Sequence, residues 1–211
     1  ISTDKACMPV NVMGMTKALQ ERVIINGNLK CRRTRFVCVR YGNVLASRGS
    51  VIPLFHSQLA AGGPLTITSE TMTRFLLSLQ DAVDTVVAAY EHAEPGETFV
   101  PRAPSALVVN IAKAIIGERD IGLETIGVRP GEKIHEIMVS DVEAPMTARK
   151  GDWYAIKTML PEVRGEGPWE PALDKEYSSR DEVMDLAQTR ELLERKDLLR
   201  PAASANGEML R

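Results

Sequence analysis

Segments typical of β-strands alternate with segments typical of α-helices along most of this 211-residue chain. Residues 34–44 (TRFVCVRYGNV) are rich in β-branched and aromatic side chains, and their apolar run suits a buried parallel strand. The preceding segment, residues 11–28, carries apolar side chains at helical spacing and ends at Asn26-Gly27-Asn28. This alternation predicts an α/β fold with a parallel sheet.

The same patterns predict the other elements. Helices are expected over residues 52–61, 81–92, 105–116 (with Ser105 as the N-cap), 132–139 and 180–199. Strands are expected over residues 65–68, 98–100 and 121–128, with at most a short strand at 153–157 in the loop-rich stretch 145–171. Residues 200–211 are expected to form a flexible tail.

Charge and cysteine content exclude several classes of protein. The 26 basic and 28 acidic residues are mixed along the chain, which argues against a nucleic-acid binder and a membrane-surface protein. No apolar stretch reaches the about 20 residues that a membrane-spanning helix needs. The three cysteines lack metal-ligand spacing and the three histidines lie far apart, so we expect free thiols, a cytoplasmic location and no metal site.

The first residues resemble the end of a strand that enters an active loop. The chain opens on Ile1 without an initiator methionine, and neither G-x-G-x-x-G nor G-x-x-G-x-x-G follows any predicted strand. Such a glycine-rich turn cradles the phosphates in dinucleotide-binding folds. We therefore expect the N-terminal, glycine-rich half of such a fold to be absent from this chain, with a natural N-terminus as the alternative.

Two short motifs near the start carry candidate chemistry. Thr3, Asp4 and Lys5 offer a hydroxyl, a carboxylate and an amine on successive residues, and the carboxyl end of a parallel strand would turn them toward a ligand crevice. Met13 and Lys17 share one face of the next helix. Tyr-x-x-x-Lys at this place is the signature of the short-chain dehydrogenase/reductase superfamily, and Met13, at the tyrosine position, cannot carry a proton.

Four ordered blocks resemble the nucleotide-sugar 4,6-dehydratases of the extended short-chain dehydrogenase/reductase superfamily. The blocks are residues 2–17, 40–53 (with RYGNV and SRGSVIP), 72–75 (MTRF) and 129–133 (RPGEK). The resemblance covers roughly residues 1–195 and is greatest to the 5-inverting branch that acts on UDP-N-acetylglucosamine in capsule and polysaccharide biosynthesis. Methionine at the tyrosine position occurs in that branch.

The resemblance implies the C-terminal part of a Rossmann-like NAD(P)-binding fold with a smaller α/β substrate-binding region. Residues 1–60 would form the catalytic part of the dinucleotide-binding domain. Residues 61–199 would form the substrate-binding region, interleaved with the remaining Rossmann strands. A complete enzyme of this kind would be a homo-oligomer.

The implied reaction is an internal redox cycle with NADP (or NAD) as cofactor. A hydride leaves C4 of the sugar, a base removes the C5 proton, water leaves from C6, and the hydride returns to C6. Thr3 would hydrogen-bond O4, Asp4 would be the acid and Lys5 the base, which requires a protonated Asp4 and a neutral Lys5. Because Met13 cannot accept a proton, the group that accepts the O4 proton is not identified, and the Asp4–Lys5 pair is the best candidate.

The resemblance also implies binding residues. The cofactor would meet Lys17, Arg40 and Tyr41, with the main chain near residues 40–43 approaching the nicotinamide. The UDP-sugar substrate would meet Asn43, Val51, Arg74, Arg129 and Glu132, with the two arginines gripping the diphosphate and uridine side.

Two rival functions remain. A UDP-hexose 4-epimerase would also oxidise C4, but it needs no C5 base, so the Asp4–Lys5 pair and the missing tyrosine argue against it. A catalytically inactive nucleotide-sugar-binding relative is favoured by the missing tyrosine and the missing glycine-rich turn.

Overall fold

A computed structural model describes residues 1–31, 33–47, 49–165 and 167–201. Arg48 of the second motif block and residues 202–211 of the expected tail lie outside the described residues. The α-helices are α1 (Val12–Lys30), α2 (Val51–Ala60), α3 (Leu79–His92), α4 (Val108–Ile116) and α5 (Leu186–Arg195). The strands are β1 (Ser2–Thr3), β2 (Cys38–Tyr41), β3 (Leu65–Ile67), β4 (Thr73–Phe75), β5 (Thr98–Pro101), β6 (Ser105–Leu107), β7 (Leu123–Thr125), β8 (Ile137–Val139), β9 (Thr147–Lys150), β10 (Trp153–Ile156), β11 (Tyr177–Ser178) and β12 (Val183–Met184).

The main sheet has the strand order β1-β2-β5-β10-β9. Strands β1, β2 and β5 are parallel, with Ser2 opposite Arg40 and Cys38 opposite Thr98. Strands β10 and β9 continue the sheet in antiparallel pairing. The predicted α/β fold with a parallel sheet is confirmed, and the loop-rich stretch contributes two antiparallel strands to it.

Helices α1 and α3 make the crossover connections between the parallel strands. Helix α1 begins where the side chain of Asn11 accepts a hydrogen bond from the amide of Gly14 at 2.8 Å. Helix α3 begins at a capping box formed by Ser78 and Asp81. Alanines on the buried face of α3 pack against the sheet, in a cluster that contains Val39, Ala88, Ala89, Ala93, Phe99 and Ala155.

A second region surrounds α4. Two small sheets belong to it, with strand orders β12-β6-β4 and β3-β7. Its core is the largest buried cluster, and the fully buried side chains of Phe55, Leu65 and Ile111 lie within it. The pair β11-β8 packs instead against the main sheet, where Met138 and Val139 share a buried cluster with Val100 and Tyr154. Strand β4 carries Arg74. Strand β8 follows residues 129–133 along the chain and contacts the turn Asp4–Ala6 after β1.

Three expectations about helices are wrong. Ser105 is not a helix N-cap, since it starts β6 and pairs with Phe75, and α4 begins at Val108. Residues 132–139 form no helix, because Met138 and Val139 are buried as part of β8. The last predicted helix is shorter than residues 180–199, because Val183–Met184 pairs with β6 and α5 spans only Leu186–Arg195.

Among the residues that the structure describes, no helix has both the length and the apolar character needed to cross a membrane.

Candidate active site

The turn after β1 carries the predicted acid and base. Strand β1 ends at Thr3, and a short 3₁₀ turn covers Asp4–Ala6. The side chain of Thr3 caps this turn by accepting a hydrogen bond from the Lys5 amide at 3.4 Å. Gly14 of α1 lies against the turn so closely that a Cβ there would overlap the Lys5 carbonyl oxygen. The N-terminus of α1 therefore fixes the position of the turn.

Asp4 and Lys5 form an ion pair at the carboxyl end of β1. The Asp4 side chain is fully buried, whereas the Lys5 side chain is 30% exposed. Oδ1 of Asp4 accepts hydrogen bonds from the Thr3 hydroxyl at 2.8 Å and from Lys5 Nζ at 3.1 Å. The arrangement places an amine and a carboxyl group within proton-transfer distance of each other.

A cleft of about 270 Å³ opens beside Lys5. It brings together five residues that the sequence analysis assigned to the site: Lys5, Met13, Asn43, Arg74 and Glu132. The other residues that line it are Val10, Asn11, Gly131, Lys133 and Glu136. The predicted base Lys5, Met13 at the tyrosine position and three of the predicted substrate-binding residues therefore line the same cleft.

Seven predicted site residues are not among those lining this cleft: Thr3, Asp4, Lys17, Arg40, Tyr41, Val51 and Arg129. Lys17 lies one helical turn beyond Met13, and its Nζ donates to the Ile1 carbonyl at 3.4 Å and to Gln20 Oε1 at 3.0 Å. Arg129 is exposed in the loop that leads into the cleft. Val51 begins α2 and packs against the large core cluster. Their binding roles stay predictions.

The side chain of Arg40 is buried in an ion-pair network. It is 2% exposed, and its two edges contact Glu21 of α1 and Glu143 before β9. Burial alone would raise the pKa of Glu143, but the Arg40 guanidinium outweighs it and holds that pKa at about 2. The predicted cofactor contact of Arg40 is therefore restricted to its main chain, next to Tyr41, which pairs with Thr3.

Glu136 belongs to the cleft and was missed by sequence reasoning. It is 3% exposed, and its Oε1 lies 3.5 Å from Lys5 Nζ and 3.6 Å from Arg74 Nε. The helix predicted for residues 132–139 gave no reason to select it. The available signal was a carboxylate directly before the apolar pair Ile137-Met138, three positions after the RPGEK block. Buried acids are rare unless they are paired.

The loop of residues 129–133 is hydrogen-bonded to the segment between β1 and α1. Asn11 Nδ2 donates to the Gly131 carbonyl at 3.0 Å, and Lys133 Nζ donates to the carbonyl of Cys7. Cys7 itself is buried, and burial raises the pKa of its thiol to about 12, so it is no nucleophile at neutral pH. Because of the two hydrogen bonds, the loop of residues 129–133 and the turn Asp4–Ala6 lie side by side, and both line the cleft.

Three buried acceptor oxygens at this site have no hydrogen-bond partner within the described part of the chain. They are Oδ2 of Asp4, Oδ1 of Asn43 and Oε2 of Glu136. A buried acceptor without a donor costs about 1–3 kcal/mol. The site is therefore suited to a ligand that supplies several hydroxyl or N–H donors.

The residues present fit one end of a dinucleotide. Lys17 and Tyr41 both border β1, and the Lys17 amine is the type of donor that binds ribose hydroxyls. The chain contains no glycine-rich turn for the pyrophosphate. Within the described ranges, no cluster of three or more His, Cys, Asp or Glu side chains is suited to a metal ion.

Comparison with known proteins identifies the family of the chain and several similar proteins. Residues 1–158 match the model of a family described as polysaccharide biosynthesis protein. Proteins named UDP-glucose 4-epimerase from Rickettsia canadensis and Rickettsia typhi are each 41% identical to the chain over 204 residues. These matches cover 92% of the chain but only 60% of each relative, so the chain spans about three fifths of their length.

Solved structures share the fold. Pen from Bacillus thuringiensis superposes with a TM-score of 0.82 at 30% identity, covering 93% of this chain and 61% of that one. A dTDP-glucose 4,6-dehydratase from Bacillus anthracis in complex with NAD superposes with a TM-score of 0.51 at 13% identity, covering 91% and 55%. The second likeness concerns the fold alone, which is the Rossmann-like α/β fold expected from the sequence.

Proposed function

This chain belongs to the polysaccharide biosynthesis protein family, and from that premise we propose that it carries the catalytic residues of a nucleotide-sugar 4,6-dehydratase. The proposed substrate is UDP-N-acetylglucosamine, and the product is a UDP-4-keto-6-deoxy-hexosamine with inversion at C5. The activity is proposed for a complete enzyme of the relatives' length, of which this chain spans about three fifths.

The contact between Asp4 and Lys5 carries the proposal. Moving one proton across the 3.1 Å between Lys5 Nζ and Asp4 Oδ1 converts the ion pair into a neutral amine and a protonated carboxyl group. These are the forms that an elimination needs, because the amine removes the C5 proton and the carboxyl group protonates the departing C6 hydroxyl. Both steps together return the pair to its ionic form.

The rest of the cleft supports substrate binding. The guanidinium of Arg74 is held by two main-chain carbonyls. Its Nη1 donates to the Thr73 carbonyl at 2.7 Å and to the Ile134 carbonyl at 3.2 Å. A guanidinium held in this way suits the diphosphate of a nucleotide sugar. Asn43 and Glu132 line the same cleft and are proposed to bind the diphosphate and the ribose hydroxyls.

NADP or NAD, when bound, would accept the hydride from C4 and later deliver it to C6. Lys17 and the main chain of residues 40–42 are the parts of this chain proposed to hold its nicotinamide end. We also propose a cytoplasmic homo-oligomer, in keeping with the free cysteines Cys7, Cys31 and Cys38.

A second candidate is a UDP-hexose 4-epimerase, which the names of the Rickettsia relatives favour. An epimerase oxidises C4 and returns the hydride to the other face of the same carbon. It needs neither a base at C5 nor an acid at C6. The buried Asp4–Lys5 pair would then have no chemical use.

One experiment separates the candidates. The complete enzyme is incubated with UDP-N-acetylglucosamine and nicotinamide cofactor in deuterated water, and the product is analysed by mass spectrometry. A 4,6-dehydratase releases a keto sugar that has lost one water and gained deuterium at C5. An epimerase gives a product of unchanged mass and no exchange at C5, and an inactive relative gives no product; either result rejects the proposal.

A further inference from the structure

We propose that Glu136 accepts the proton of the substrate's O4 hydroxyl, the role that Met13 at the tyrosine position cannot fill. The inference rests on the proposed function only as far as oxidation at C4. That first step is common to 4,6-dehydration and 4-epimerisation, so a wrong assignment of the later steps leaves it testable.

Existing roles and burial separate Glu136 from the other carboxylates. Asp4 is already proposed as the acid for the C6 hydroxyl, and its Oδ1 accepts hydrogen bonds from Thr3 and Lys5. Glu132 lines the cleft but is exposed, and its Oε2 accepts from the Arg129 amide at 3.3 Å. Glu136 lines the cleft, is nearly buried, and keeps Oε2 without a partner among the described residues.

The protein holds Glu136 rigidly at this position. Its main-chain amide donates to Ser179 Oγ at 2.9 Å, and its carbonyl accepts from the Ser179 amide at 2.8 Å. The Ser179 hydroxyl also contacts Thr73 Oγ1 at 2.6 Å, in the strand that carries Arg74. A group positioned in this way needs little reorganisation when a substrate hydroxyl arrives.

The two carboxylate oxygens of Glu136 have different surroundings. Lys5 and Arg74 both face Oε1, at 3.5 and 3.6 Å, so this oxygen is already paired with two cations. Oε2 has no hydrogen-bond partner within the described part of the chain, and Glu136 and Met13 line the same cleft. A carboxylate oxygen that no protein donor occupies can accept a proton from a substrate hydroxyl.

The proton count closes with this assignment. As the hydride leaves C4, the O4–H bond breaks, its proton passes to Oε2, and the C4–O4 bond becomes a carbonyl. Elimination takes the C5 proton to Lys5 and gives the Asp4 proton to the departing water. The hydride returns to C6, C5 takes one proton from solvent, and Glu136 releases its proton to solvent through the cleft that it lines. All three side chains thus end in their starting states.

The test follows hydride transfer in the complete enzyme, loaded with NADP and mixed with UDP-N-acetylglucosamine in a single turnover. Absorbance of the reduced nicotinamide reports the first step. For Glu136→Gln, which keeps size but cannot accept the proton, the rate should fall by about 100-fold or more. Calorimetric affinity for UDP-N-acetylglucosamine should change by less than about threefold, since the side chain keeps its shape.

A second variant distinguishes proton transfer from packing. Glu136→Ala should be slow as well, and added formate should restore part of its rate, since a small carboxylate can occupy the vacated space. The matched control is Glu124→Gln, which removes an exposed carboxylate from β7 and should leave the rate and affinity unchanged.

Several results would overturn the inference. One is a Glu136→Gln enzyme that forms reduced nicotinamide at the wild-type rate. Another is a loss of substrate affinity that accounts for the whole loss of rate, and a third is a Glu136→Ala enzyme that formate does not rescue. If the wild-type product proves to be the C4 epimer, 4,6-dehydration is rejected while this comparison still decides the role of Glu136.

Discussion

Arg40 and Glu21 form a buried, two-pronged ion pair, with 3.0 Å between Nε and Oε1 and 2.7 Å between Nη2 and Oε2. Glu143 occupies the other edge of the same guanidinium at 2.9 and 3.0 Å. The network joins α1, β2 and the turn before β9. Because all three groups are largely removed from water, loss of one side chain would leave its partners as buried charges without a counter-charge.

Replacing Arg40 by alanine should therefore lower the free energy of unfolding by about 3–5 kcal/mol, since it leaves two buried carboxylates without their partner. Urea unfolding of the variant and the parent protein measures the difference. The control is Arg102→Ala, which removes an exposed arginine and should change stability by no more than about 0.5 kcal/mol. Equal losses in both variants would contradict the role assigned to the network.

The same network predicts a pH dependence of stability. The Glu143 pKa lies at about 2 in the folded protein, below the ordinary glutamate value of 4.5, so its contribution to stability is complete above pH 4.5 and is lost as the pH falls toward 2. The contribution is on the order of 3 kcal/mol. Glu143→Gln should remove this part of the acid-induced loss in urea unfolding at pH 6 and pH 3. An unchanged difference between the two pH values would assign the acid sensitivity to other carboxylates.

Local patterns in the sequence were sufficient for much of the fold. Helical spacing located α1, α3 and α4 to within a few residues, and the β-branched run located β2. Strand β8 was missed because Ile134, Ile137 and Met138 also fit one face of a helix. Pairing with Tyr177, far along the chain, decides the strand, and no local signal contains that partner.

The candidate site was predictable to a similar extent. Motifs selected Lys5, Met13 and Arg74, which do line one cleft. Glu136 was missed because its closeness to Lys5 depends on how β8 packs against the turn after β1. Arg40 shows the opposite limitation, since a charged residue in a motif gave no indication that its side chain is buried.

Gly14→Ala should destabilise the protein and disturb the catalytic turn. Alanine normally favours a helix over glycine, but here its Cβ would overlap the Lys5 carbonyl and lie 3.1 Å from Pro9 Cβ. We expect a loss on the order of 1–3 kcal/mol in unfolding free energy, as for other overpacked sites, together with a fall in turnover. Gly63→Ala is the control, since nothing lies within 4 Å of the added Cβ. A Gly14 variant as stable as this control would show that the turn shifts freely.

Arg74→Ala and Arg129→Ala in the complete enzyme should raise the Michaelis constant for the UDP-sugar more than they lower turnover, because each is proposed to grip a non-reacting group. A lost charge-assisted contact to the diphosphate costs about 1.5–3 kcal/mol. Steady-state kinetics with Arg190→Ala, an exposed position on α5, supplies the comparison. Unchanged Michaelis constants in both variants would remove these arginines from the substrate site.

Lys5→Ala should separate oxidation from elimination. Reduced nicotinamide should still form on mixing with UDP-N-acetylglucosamine, whereas deuterium exchange at C5 should be lost together with the base. In Asp4→Asn, which keeps size but donates the acid proton poorly, C5 exchange should outlast net dehydration. Mass spectrometry of the sugar in deuterated water measures both. Wild-type exchange in Lys5→Ala would place the base elsewhere.

The unpartnered oxygens of Asn43 and Glu136, two residues that line the cleft, determine which inhibitors it can bind well. A compound that brings only acceptors, such as a simple sulfonate or phosphate, would bind Arg74 but leave these oxygens unsatisfied, at about 1–3 kcal/mol for each. A compound that joins an anionic arm to a polyhydroxylated ring would satisfy both sides of the cleft. Inhibitor selectivity over proteins that bind only the anion should therefore grow with the number of correctly placed hydroxyl groups.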